Sequence, residues 1–235
     1  MPEPKEWRVV PALDCSMDRA STLVAALGSH RWVHGFKLGF ALGLSHGLPE
    51  VVRVLAGHTD KPLIYDHQKA GTDIPATGAL FADVLAGAGI GEAILFPQAG
   101  PATLEAWVRA LQERGLAVIV GGVMTHPAYL ASEGGFLVDD AGHRMFAAAA
   151  AAGVRSFVVP LTKPAEARAA IEAAGVGDCT FYSPGYGKQG GDPSRFHFVR
   201  RHRVIVGRAL LGAPDPVEFV DQMHASLVAT TPEIP

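Results

Sequence analysis

The sequence has only two cysteines, Cys15 and Cys179, far apart and outside any metal-ligand spacing. That scarcity excludes a disulfide framework, argues against a structural zinc site and fits a reducing compartment. No stretch approaches the roughly 20 apolar residues that a membrane span requires. The N-terminal run Met-Pro-Glu-Pro-Lys-Glu-Trp lacks the apolar segment of a secretory signal. Basic charge is neither in excess nor clustered: 20 Lys and Arg stand against 23 Asp and Glu, a net charge of −3. Nucleic acid gripped by a broad basic face is therefore not an expected partner. Taken together, the absences predict a cytoplasmic protein without a membrane segment.

What the chain does have is apolar substance. Hydrophobic residues make up 49% of its 235 positions, enough for one substantial core. Short runs rich in Val, Ile and Phe alternate with amphipathic segments from end to end. Strands are predicted near 7–13, 33–39, 62–66, 93–97, 117–123, 154–160, 179–183 and 203–207. Their lack of clean polar alternation suits parallel strands covered on both faces. Helices are predicted near 17–29, 47–57, 76–87, 102–114, 140–152, 164–175 and 215–228. The last opens on Asp215-Pro216-Val217-Glu218, a cap, a first-turn proline and a capping-box glutamate in order. Val217, Val220, Met223 and Leu227 are expected on its buried face. Pro75 and Pro164 are expected in the opening turns of their own helices. No linker or composition break interrupts the pattern, so residues 1–235 read as one α/β domain, a (β/α)8 TIM barrel.

The polar residues support the barrel over a doubly wound sheet. Asp14, Lys37, Asp66, Thr125, Pro184 and Arg208 fall at or near the C-terminal ends of different predicted strands, where barrel active sites are built. The most informative stretch is Ile64 to Thr77, which runs apolar into Asp66 and then places Lys69, Asp73 and Thr77 close together. Charges are rarely buried unless paired. An alternating array of Asp14, Lys37, Asp66, Lys69 and Asp73 would hold a lysine protonated beside carboxylates, as a proton donor that stays charged. The alternative is a structural ion-pair network at the barrel mouth.

Ser183 to Pro193 spells G-x-G-x-x-G after a strand, but late in the chain and followed by Gly191-Asp192-Pro193, which is poor helix material. A loop over substrate fits better than a dinucleotide fingerprint, with Gln189 offering an amide to an anion. An ordinary surface turn is the plain alternative. Gly207-Arg208 ends the last strand, where barrels commonly hold phosphate and where arginine supplies a bidentate fork. A surface salt bridge is the other reading of Arg208. Thr125 brings a hydroxyl to the mouth, and His126 fits a backbone-bonded structural histidine better than a catalytic one. The histidines show no H-E-x-x-H or similar spacing, so no metal is expected.

These segments resemble the orotidine 5'-monophosphate decarboxylase family over nearly the whole chain. Pro11-Ala12-Leu13-Asp14 is similar to its first-strand motif, and Phe36-Lys37-Leu38-Gly39 to its second. Asp73-Ile74-Pro75-Ala76-Thr77 resembles the segment that members insert into a partner's active site, and Met124-Thr125-His126-Pro127 the strand-five motif. Pro184 to Pro193 resembles the loop that closes on phosphate, and Gly207-Arg208 the phosphate gripper. The resemblance implies decarboxylation of orotidine 5'-monophosphate (OMP) to UMP in de novo pyrimidine synthesis, without metal or organic cofactor. It implies Asp66 beside the departing carboxylate, Lys69 protonating C6, and Lys37 holding Asp66 and ribose. Asp14, with Asp73 and Thr77 from a partner subunit, is implied to bind ribose hydroxyls. Ile74, Thr125, Pro184, Gln189, Gly207 and Arg208 complete the implied substrate contacts in a homodimer with shared sites.

One departure falls at the centre. The family pattern is Asp-x-Lys-x-x-Asp, whereas this chain has Asp66-x-x-Lys69-x-x-x-Asp73. Strand residues two apart share a face and those three apart do not. The chain must therefore bulge or leave the strand after Asp66, and Gly71 is suited to turning the extra length back. Two alternatives remain at this level. One is a related Mg2+-dependent decarboxylase or aldolase on a phosphorylated sugar, of the 3-keto-gulonate 6-phosphate decarboxylase type. The other is a non-catalytic nucleotide-binding homologue.

Overall fold

In a parallel strand covered on both faces, alternate side chains enter two different apolar layers. That rule organises this chain, whose computed structural model describes residues 5–67, 70–187 and 189–229. Eight strands occur among them: β1 (Glu6–Pro11), β2 (Phe36–Gly39), β3 (Leu63–Asp66), β4 (Glu92–Leu95), β5 (Ala117–Gly121), β6 (Ser156–Val158), β7 (Thr180–Ser183) and β8 (Arg201–Val206). All pair in parallel, in the order β1-β8-β7-β6-β5-β4-β3-β2. The two end strands meet through isolated bridges, Val9 with Val33 and Ala12 with Lys37. Leu13 N also donates to Lys37 O at 2.8 Å. The sheet is thereby nearly closed into a barrel, as the alternation of elements predicts.

Inward positions Val10, Ala12, Ile64, Ile94, Ile119, Val158, Tyr182 and Ile205 pack together inside. Their outward neighbours Val9, Leu63, Tyr65, Leu95, Val120, Phe157, Phe181 and Val204 belong to the larger core beneath the helices. Those helices are α1 (Met17–Leu27), α2 (Phe40–His46), α3 (Leu48–Ala56), α4 (Thr77–Ala88), α5 (Pro101–Glu113), α6 (Ala141–Ala151), α7 (Pro164–Ala174), α8 (Arg208–Leu211) and α9 (Pro216–Ala229). Among the described residues, no helix is long and apolar enough to cross a membrane.

Three details depart from the sequence expectation. Helix α2 was not expected, because Gly43, Ser45 and Gly47 disguise about two turns of helix. Gly47 then breaks it from α3 with φ +74°. Val217, expected in the core, is 36% exposed, whereas Val220, Met223 and Leu227 are buried. It sits in the first turn, where the apolar stripe of α9 has not yet reached the barrel wall. Pro75 lies two residues ahead of α4, in a turn closed by Gly78 N donating to Pro75 O. The cap at Asp215 is as expected: its Oδ1 accepts from Val217 N at 2.8 Å and Glu218 N at 3.1 Å.

The N-terminal end of the barrel is plugged by polar side chains that satisfy one another. His34 Nε2 stands 2.8 Å from Glu92 Oε1, and the Tyr182 hydroxyl donates to Glu92 Oε2 at 2.9 Å. Burial pushes the Glu92 carboxyl up, but the bonds from His34 and Tyr182 and the charge of Arg203 together hold it below its ordinary value. With that end filled, the open C-terminal mouth is left for chemistry.

Candidate active site

Three consecutive strand ends bring charge to one side of the mouth. Phe36 and Leu38 of β2 point outward into the core, so Lys37 between them points in. Its ammonium lies 3.0 Å from Asp66 Oδ2 at the end of β3 and 3.9 Å from Asp14 Oδ2, just past β1. Lys37 and Asp66 are nearly buried, while Asp14 is more than half exposed. Gly39 makes room for this arrangement. A Cβ at that position would fall 2.4 Å from Asp14 Oδ1, so only glycine lets Asp14 lean across the end of β2. A buried pair adds little net stability, because desolvation offsets most of the attraction. Its chemical value is a fixed field of alternating sign in a low-dielectric wall.

The chain leaves the strand at Asp66, as the lengthened spacing requires. The Tyr65 hydroxyl, on the outer face, is 2.6 Å from His67 Nδ1. Beyond, Ala70 O accepts from Phe96 N at 2.8 Å, and Gly71 turns the chain with φ +84° against Pro97. Thr103 Oγ1 then donates to Asp73 O at 2.9 Å, and Trp107 Nε1 to Ile74 O at 3.0 Å. Lys69, the expected proton donor, lies outside the described residues.

Across the mouth stand the loops after β7 and β8. Gly191 N donates to Gly185 O at 3.0 Å and Gly190 N to Gly187 O at 2.8 Å, so the glycine-rich segment folds back on itself. It is followed by a short 3-10 turn, Pro193–Phe196, capped when Asp192 Oδ1 accepts from Ser194 N at 2.9 Å. Among the described residues no α-helix opens there, unlike the dinucleotide fingerprint geometry. Gly207 and Arg208 follow β8 and complete this wall.

The two walls enclose a cavity of about 210 Å³ that gathers Asp14, Lys37, Asp66, Thr125, Pro184, Gln189, Gly207 and Arg208. Eight residues singled out from the sequence thus meet in one place. Asp73, Ile74 and Thr77 do not enter it. Asp73 and a half-buried Thr77 line a separate groove with His67, Leu80 and Val84, and Ile74 is 60% exposed. Sequence reasoning missed the apolar floor and walls, formed by Ile94, Phe96, Val123, Val158 and Ile205. Counting alternate positions toward each strand's C-terminal end would have found most of them. Among the described residues, no three His, Cys, Asp or Glu side chains are grouped to hold a metal ion.

A cavity with buried charges at one end and an arginine with a glycine-rich loop at the other suits a small anionic molecule with a remote anionic group. Comparison with known proteins narrows it. Residues 8–223 match the Orotidine 5'-phosphate decarboxylase / HUMPS family. The orotidine 5'-phosphate decarboxylase of Methanosarcina barkeri is 32% identical over 225 residues, 96% of each chain. That of Methanosarcina mazei is 31% identical over 94% of this chain and 95% of its own. Among solved structures, orotidine 5'-monophosphate decarboxylase from Methanocaldococcus jannaschii with the inhibitor BMP superposes with a TM-score of 0.80 at 24% identity. It covers 97% of this chain and 100% of that one. The Pyrococcus horikoshii enzyme gives 0.76 at 26% identity, covering 93% and 98%.

Proposed function

The chain belongs to the Orotidine 5'-phosphate decarboxylase / HUMPS family and is a carboxy-lyase, and from that premise we propose that it converts OMP to UMP and CO2. The observation that carries this reading is the Asp14–Lys37–Asp66 array facing Arg208 and Gln189 across one cavity. A nucleotide fits between these ends with its base over the charges and its phosphate at the loops.

In this reading, Asp66 lies against the substrate carboxylate and repels it. The C6–carboxylate bond breaks, its electron pair stays on C6, and CO2 leaves. The ammonium of Lys69 then delivers a proton to C6, completing UMP. Lys37 holds Asp66 in place through the 3.0 Å ion pair. Asp14 binds a ribose hydroxyl. Thr125 and Gln189 contact the pyrimidine and the phosphate, Pro184 and Gly207 bring the backbone close, and Arg208 grips the phosphate. The phosphate is far from the bond that breaks, so its binding energy can hold the loop shut and exclude water. The proton comes from a lysine in this scheme and no metal ion takes part.

Asp73, Ile74 and Thr77 then act from a second copy of the chain. The exposure of Asp73 and Ile74 outside the cavity supports this, and so does the apolar surface near them: Leu80 and Val84, which share a groove with Asp73 and Thr77, are each more than half exposed. Large apolar side chains gathered on one face mark an interaction surface. The deciding experiment follows OMP absorbance with the purified protein, with and without EDTA. Conversion to UMP unchanged by chelation supports the reading; no conversion removes it.

A further inference from the structure

Asp66 is the last residue of β3, so its placement depends on how the chain leaves the strand. On the inner face it is held by Lys37 at 3.0 Å. On the outer face, its two chain neighbours are tied to each other, with the Tyr65 hydroxyl 2.6 Å from His67 Nδ1 and the rings edge to face. Tyr65 is itself wedged among fixed groups. Its ring packs near Phe81, which packs on Trp107, and its hydroxyl lies 3.5 Å from where a Cβ on Gly43 would be. Trp107 in turn holds the far end of the same segment through Ile74 O. One row of aromatics thus anchors both ends of the stretch between Asp66 and Asp73.

We propose that Tyr65 and His67 are positioning residues for the decarboxylation, acting through Asp66. Their hydrogen bond clamps the backbone on either side of the carboxylate. The longer run to Lys69 therefore starts from a fixed point rather than a fraying strand end. This inference rests on the function proposed above. Neither side chain lines the cavity that holds Asp66; they set the direction in which the chain departs. A donor and an acceptor held 2.6 Å apart by packed rings suit that task, because little conformational freedom remains to be lost.

The test uses three single variants and one double. Tyr65→Phe removes only the hydroxyl, His67→Leu removes its ring partner, and His67→Asn keeps a polar group near the place of Nδ1. Tyr65→Phe and His67→Leu should each lower kcat on OMP about tenfold with KM within about twofold, as misplacement of a reacting group does. The double variant should fall no further than either single one, and His67→Asn should stay within about threefold of wild type. Wild-type kcat in His67→Leu, or additive losses in the double variant, would overturn the proposal. A crystal structure of Tyr65→Phe separates this idea from the reading it rests on. If the wild type proves inactive on OMP, the reaction assignment falls alone. A Lys37–Asp66 contact lengthened by an ångström in the variant would still uphold the clamp. The same contact kept at its present distance would refute it.

Discussion

The Lys37 ammonium stands 3.0 Å from Asp66 Oδ2, and each side chain is about nine-tenths buried. Removing the lysine deprives a buried carboxylate of its 3.0 Å cation. Lys37→Met should therefore destabilise the fold by about 3 kcal/mol. Urea unfolding of the two proteins measures the difference, and equal midpoints would mean the pair is solvated in solution.

Lys69 carries the proton in the proposed scheme. Lys69→Ala should lower kcat about a thousandfold while UMP still binds, since a positioned acid contributes on that order. Turnover at the wild-type rate would assign the proton to another group.

Arg208 should matter only to ligands that carry phosphate. Arg208→Ala is expected to weaken UMP by about 2 kcal/mol, roughly thirtyfold, from the loss of a charge-assisted hydrogen bond. Uridine, measured beside it by titration, should bind both proteins alike. A matching loss for uridine would place Arg208 in the scaffold instead.

Leu80 is 66% exposed, so a charge there should leave the folded subunit intact. Leu80→Asp is expected to yield monomers in sedimentation velocity and to cut kcat/KM about a hundredfold, by withdrawing Asp73 and Thr77 from the neighbouring site. A monomer with full activity would break the shared-site reading.

His202 links stability to pH. Its Nε2 lies 2.7 Å from Ser183 Oγ, with Trp7 edge-on at 4.8 Å, and it is completely buried. Burial, aided by the charge of Lys5, pushes its pKa from 6.5 down to about 3. The unfolded chain therefore binds a proton between those values that the folded chain refuses. Stability from this group is full above pH 6.5 and falls by about 1.4 kcal/mol per unit as pH drops toward 3. Between pH 7 and 5, His202→Gln should lose about 2 kcal/mol less than wild type in denaturant unfolding. Parallel losses would show that the site takes up a proton without unfolding.

The barrel and most of its mouth were legible in the sequence because both rest on short-range rules. Strand alternation alone turns Lys37 inward between Phe36 and Leu38, and strand ends alone place Thr125 and Arg208 at the mouth. Helix α2 escaped because three small or flexible residues mask its pattern. The plug of His34, Glu92 and Tyr182 escaped for a different reason: its members lie 58 to 148 residues apart, and no local signal joins them. Glu92 reads as an ordinary charged residue before a strand. Only closure of the sheet makes it a buried acid. The surface position of Asp73 and Thr77 was foreshadowed only by the resemblance to a shared-site family, since nothing in their spacing tells inside from outside.

The turn at Gly71 has a consequence for how such chains change over time. The extra residues between Asp66 and Asp73 are absorbed after the last ladder bond of β3, which still pairs Asp66 with Ile94. The strand register is complete before the segment begins. A barrel of this kind can thus lengthen its most chemical segment as freely as a surface loop. A search that demands one rigid spacing of acid and base would pass over enzymes whose architecture is unaltered.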